Sequence, residues 1–76
     1  MKNKQQALDK RIKIADVLKS VREEKGMSIE EVAEQVGISK NTLQRIEAGK
    51  FSPDADLLCV IVNALGGDLK INDEII

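Results

Sequence analysis

Histidine, tryptophan and tyrosine are missing from this 76-residue chain, and Cys59, Phe51 and Pro53 are each the single residue of their type. Without histidine, and with one cysteine, the usual metal sites and acid-base catalysts lack their residues, and no internal disulfide can form. Cys59 lies on an apolar run and reads as a small buried hydrophobe rather than a reactive thiol. A lone aromatic argues against recognition of single-stranded nucleic acid, which leans on stacking. No run approaches the roughly 20 apolar residues of a membrane span, and the opening MKNKQQALDK lacks the apolar stretch of a signal peptide, so a cytoplasmic protein without membrane contact is expected. Pairs such as Glu23-Glu24 and Glu30-Glu31 read as helix-surface charges or caps, and nothing sets a nucleophile beside a base; no enzyme, catalytic residue, metal or cofactor is expected.

The chain does contain the balance of a globular protein, 42% hydrophobic and 33% charged. A domain of this size buries only about 60% of its unfolded surface, which leaves no room for a large enclosed pocket. Function is therefore expected on the surface, with no small-molecule ligand. The net charge of −1 is unevenly spread. Residues 1–25 carry eight Lys/Arg against four Asp/Glu, whereas residues 51–76 carry one against five, so one face can be basic although the whole is not.

Glycines and capping residues divide the chain. Ile14, Ala15, Leu18 and Val21 form an amphipathic stripe that predicts a first helix over about 10–25, ended by Gly26. Ser28 and Glu31 stand at capping-box spacing, with Met27 and Val32 as the hydrophobic staple, and predict a second helix over 29–35, broken by Gly37. Ser39 repeats the N-cap, and Ile38 with Leu43 the staple, so a third helix begins at Lys40 after a tight corner and closes at Gly49. Asp54 caps a fourth helix that runs to Leu65, with the Leu58, Ile61, Val62, Leu65 stripe inward. That helix is apolar nearly all round, which suggests that a second copy packs on it. Residues 1–9 are read as a flexible tail, residues 10–67 as the domain, and residues 68–76 as a strand or a short helix. A strand there, with Leu69 and Ile71 on one face, is expected to find its partner across a dimer axis. Phe51 is expected to cover the core beneath the loop after helix three.

On a wheel of about 100° per residue, Leu43 and Ile46 define the inner side of helix three and Glu47 its border. Lys40, Asn41, Gln44 and Arg45 point away, and the small Ala48 shares their face. Arg or Lys can donate to guanine O6 and N7, and Asn or Gln can both donate to and accept from adenine, each good pair discriminating by roughly 1–3 kcal/mol. Ser28 and Ser39 stand at helix N-termini, where free N–H groups and the dipole suit a phosphate; Thr42 and Lys50 are further candidates for backbone contacts.

The run from Arg22 to Gly67 resembles the helix-turn-helix family of phage repressors and Cro, also called the XRE family. The resemblance extends over about Ile14 to Gly67, and rests on Arg22, Gly26, Ala33, Gly37, Ser39, Ile46-Glu47, Gly49-Lys50, Pro53 and Ala64-Leu65-Gly66. It implies an all-α, λ-repressor-like domain of four to five helices that binds double-stranded operator DNA as a homodimer, with helix 40–48 in the major groove. It implies base contacts from Lys40, Asn41, Gln44 and Arg45, and phosphate contacts from Ser39, Thr42, Lys50 and the start of helix two at Ser28. It pairs Arg22 with Glu47 in a partly buried salt bridge. The expected activity is transcription regulation, as a repressor. The ALGGDLKI tail also resembles those of HipB-like antitoxins, which hold a toxin as well as DNA, and this is the second reading. Three residues depart from the family: Ile29 replaces a glutamine that helps hold DNA, and Glu30 and Glu34 bring negative charge toward the expected phosphate path.

Overall fold

The computed structural model describes residues 4–76, which form four helices and a terminal hairpin: α1 (Lys4–Glu24), α2 (Ile29–Val36), α3 (Lys40–Glu47), α4 (Ala55–Ala64), β1 (Lys70–Ile71) and β2 (Glu74–Ile75). Each of α2, α3 and α4 starts at a side-chain cap within its own turn. Ser28 Oγ accepts from the Glu31 N–H at 3.0 Å while Glu31 Oε1 accepts from the Ser28 N–H at 3.1 Å. Ser39 Oγ accepts from the Thr42 N–H at 3.0 Å, and Asp54 Oδ1 from the Leu57 N–H at 2.8 Å. Four otherwise orphaned N–H groups are satisfied in this way, which fixes where these helices begin.

The core draws on all four helices: Leu18 of α1, Val32 and Ala33 of α2, Leu43 and Ile46 of α3, and Ile61 together with Leu65 just past the end of α4. Leu43 and Ile46 are 0% and 1% exposed, so α3 is anchored by its inner stripe. Gly37, at φ 86°, turns the chain out of α2, and its N–H is donated back to the Ala33 carbonyl at 2.9 Å. A left-handed residue there lets α3 start after only two more residues. Gly49, at φ 74°, is buried; a Cβ at this position would lie 3.4 Å from Ile12 Cγ1 and 3.7 Å from Ile12 Cα. The loop after α3 therefore rests directly on α1.

Four expectations are corrected. Helix one begins at Lys4, so residues 4–9 are helical rather than a tail; Gln5, Gln6, Ala7 and Leu8 are good helix formers, and the Gln5 amide donates to Asp9 at 3.1 Å one turn on. Residues 1–3 of that expected tail lie outside the described residues. The inner face of α1 is Ala15, Leu18 and Arg22, while Ile14 is 37% exposed. The expected terminal strand forms and has a partner within its own chain: β1 and β2 run antiparallel with Lys70 opposite Ile75 and Ile71 opposite Glu74. The Asn72-Asp73 turn joins them, with Asn72 at φ 53°, a left-handed conformation that asparagine tolerates. Phe51 is 40% exposed and only borders the core: it edges a cleft with Ile46, Pro53 and Leu58. Cys59 is a half-buried free thiol.

Candidate nucleic-acid interface

The inner anchors of α3 leave Lys40, Asn41, Gln44 and Arg45 exposed on the opposite side, with Ala48 exposed among them and Thr42 half-buried at the edge. Two of these four are held by neighbours. The Lys40 ammonium lies 2.8 Å from Glu30 Oε1, an ion pair in which both side chains are more than half exposed. The hydrogen bond from Lys40 holds the Glu30 carboxyl below its ordinary value of 4.5, so Glu30 is charged at neutral pH. The Arg45 guanidinium sits 5.8 Å from the centroid of the Phe51 ring, within cation-π range. Gln44 edges a shallow cleft with Lys19, Ile29 and Ala48. The four side chains thus share one face, but only Lys40 and Arg45 are oriented by visible contacts.

The two helix N-termini are not equivalent. At α2 the capping box uses the Ser28 N–H and the Glu31 N–H, and Glu30 and Glu31 both occupy the first turn. Negative charge already complements that end of the dipole. The first turn of α3 holds no acid, and Ser39 Oγ and Thr42 Oγ1 are 2.8 Å apart, so one hydroxyl donates to the other and the second keeps a proton outside that bond. Of the two ends, that of α3 is the better suited to a phosphate. Lys50 is exposed past the other, C-terminal end of α3, on the loop whose Lys50 and Phe51 N–H groups are both donated to the Arg45 carbonyl, at 2.9 and 3.3 Å.

Beneath this face lies a buried ion pair, Arg22 with Glu47, whose side chains are both almost closed to solvent. Arg22 Nε and Nη2 donate to the two Glu47 carboxylate oxygens at 2.8 and 3.0 Å, and Nη1 donates to the Met27 carbonyl at 2.8 Å. The hydrogen bonds to the Glu47 carboxylate raise the Arg22 pKa above its ordinary value, against the opposing effect of burial. One guanidinium thereby ties α1 to α3 and to the loop before α2, and fixes the pitch of the exposed face.

Sequence reasoning missed Glu30 and Phe51 as supports of Lys40 and Arg45. Both contacts are tertiary: one crosses from α2 to α3, the other reaches past a helix end, and no spacing rule within one helix signals them.

Among the described residues no helix is long and apolar enough to cross a membrane. No group of three or more His, Cys, Asp or Glu among them is placed to hold a metal ion.

Two short helices joined by a tight glycine corner, the second anchored within and polar without, define a helix-turn-helix domain. Residues 18–71 match the model of the helix-turn-helix family, and the chain belongs to that family. It is 38% identical over 62 residues to an uncharacterized HTH-type transcriptional regulator of Methanothermobacter thermautotrophicus, a stretch that takes in 76% of this chain and 90% of the relative. Its fold is similar to the crystal structure of the clp gene regulator ClgR from C. glutamicum, with a TM-score of 0.74 and 32% identity over 75% of this chain and 73% of that one. The coarse functional class follows: a DNA-binding transcriptional regulator.

Proposed function

We propose that this chain is a sequence-specific repressor that binds double-stranded operator DNA as a homodimer, with α3 in the major groove. The observation that supports this reading best is the division of α3, whose Leu43 and Ile46 are sealed in the core while Lys40, Asn41, Gln44 and Arg45 form one exposed face. Base edges in the major groove present acceptors and donors that these four types match: Lys40 and Arg45 suit guanine, Asn41 and Gln44 suit adenine. Ser28, Ser39, Thr42 and Lys50 contact phosphates, with the α3 end favoured by its lack of acid and its spare hydroxyl proton. In a dimer the half-sites lie about 34–36 Å apart, one helical turn of DNA.

Selection of bound sequences from random duplexes gives the operator. Arg45→Ala then weakens the selected duplex much more than random DNA, whereas Lys50→Ala weakens both alike. Equal losses for both variants on every duplex refute base reading by α3. A monomeric mass on the selected duplex refutes the dimer.

A further inference from the structure

The first turns of α1 run beside the loop that follows α3. Gly49 is packed on Ile12 and Ala15, and Ser52 shares a surface groove with Lys4, Gln5, Ala7, Leu8 and Arg11. Lys4 and Arg11 are seven residues apart, two helical turns, and so stand on the same face of α1. No carboxylate lines the groove, and the nearby Asp9 accepts a hydrogen bond from Gln5. Arg11 Nε is buried with no hydrogen-bond partner, and Arg11 enters no ion pair among the described residues. Burying a guanidinium N–H without an acceptor is costly, and no protein acceptor among the described residues offsets that cost for Arg11. Two cations, a hydroxyl and an apolar floor that supports the arginine stem suit an anionic oxygen. Ser52 lies two residues beyond Lys50, the proposed backbone contact, so the groove borders the same loop.

We propose that Lys4, Arg11 and Ser52 hold a phosphate of the DNA backbone outside the segment read by α3, widening the footprint of each protomer by one contact. The inference rests on the reading that places the Lys50 loop against the DNA backbone.

The test is the salt dependence of binding, for the full chain, to the selected duplex extended by several base pairs on each side and to a random duplex of equal length. Each phosphate contact adds about 0.9 to the slope of log affinity against log salt, or ~3.5-fold in affinity between 50 and 200 mM. Arg11→Gln is expected to lower the slope by about one per bound protomer on both duplexes, leaving their affinity ratio unchanged. The charge-keeping Arg11→Lys should retain most of it. Because Arg11 is half-buried, thermal unfolding of each variant is followed in parallel, and the exposed Lys4→Gln, which removes the second cation without touching packing, should also lower the slope. Replacing flanking phosphates one at a time by neutral methylphosphonates should find a position that weakens the wild type and leaves Arg11→Gln unaffected. Slopes unchanged in folded Arg11→Gln and Lys4→Gln, with Lys50→Ala still lowering it, overturn this contact alone. A wild type that binds no duplex overturns both this contact and the DNA reading, whereas a lowered slope in Arg11→Gln with none in Lys50→Ala supports the contact and removes Lys50 from the backbone.

Discussion

Replacing Glu47 by alanine takes both carboxylate oxygens from Arg22 and leaves the guanidinium with one partner, the Met27 carbonyl. The two side chains are only 10% and 7% exposed, so water cannot readily replace the lost acceptors. Breaking such a pair from one side costs about 3–5 kcal/mol, because an uncompensated charge remains inside. A domain of this size gains roughly 0.16 kcal/mol/K of entropy on unfolding, so a loss of ~3 kcal/mol lowers Tm by roughly 20 °C. Total stability is on the order of 4–11 kcal/mol, which makes this a large fraction of the whole. The measurement is thermal and urea unfolding of wild type, Glu47→Ala and the double variant Arg22→Met with Glu47→Leu. Replacing both members by apolar residues of similar length removes the stranded charge, and the double variant should recover to within about 1 kcal/mol of wild type or exceed it. High salt should leave the loss in Glu47→Ala nearly intact, since buried charges are poorly screened. A loss below about 1 kcal/mol would place the pair with ordinary surface ion pairs and refute its role as the tie between α1 and α3.

Glu30→Gln frees Lys40 and removes a negative charge from the proposed interface: affinity for every duplex should rise, and the salt slope should steepen by about one per protomer, whereas unchanged binding would put the Lys40–Glu30 pair outside the interface. The same pair makes a pH prediction. Glu30 has a folded-state pKa below its unfolded value near 4.5, so its contribution is complete above that value and is lost as pH falls through the lower folded value. The stability difference between wild type and Glu30→Gln should accordingly stay constant from neutral pH down to about 4.5 and close in stronger acid; a difference that changes around neutral pH contradicts this assignment. Gly49→Ala forces a left-handed φ of 74° on a residue with a Cβ and brings that atom 3.4 Å from Ile12 Cγ1, so unfolding should show a loss of at least about 1–2 kcal/mol.

How much was legible in the sequence follows the range of the interactions. The starts of α2, α3 and α4 are set by caps that act over three residues, and Ser28, Ser39 and Asp54 announce them in the chain itself. The inner stripe of α3 follows from periodicity alone. The start of α1 was missed because its first turns, Lys4 to Asp9, are largely polar and exposed, and a run of that kind looks like a solvated tail. The terminal hairpin escaped for a different reason: DLKIN shows one strand by alternation, but its partner is the two-residue strand Glu74–Ile75 beyond the Asn72-Asp73 turn, too short to show a period. Pairings between side chains of separate elements were the least visible. Arg22 with Glu47 came only from family resemblance, and Lys40 with Glu30 came from neither spacing nor resemblance.

That last pair bears on how a chain of net charge −1 can serve as a regulator of DNA. Non-specific binding depends on the number of phosphates that cations neutralise, and each free Lys or Arg on the interface adds to it whatever the sequence beneath. Lys40, tied to Glu30, adds little to that term. In the proposed mode it contributes when a guanine offers acceptors good enough to compete with the carboxylate, which would link its charge to a particular base. Arg45, by contrast, enters no ion pair among the described residues, and the Phe51 ring limits its freedom, so in the proposed mode less side-chain entropy would be lost on meeting a base. In the proposed binding mode, the acidic residues of the last third of the chain keep the affinity for random DNA low, and a few oriented side chains carry the preference for the operator. Discrimination between sites, more than tightness of binding, is what this arrangement favours, and it is what competition from a genome of non-specific sites requires.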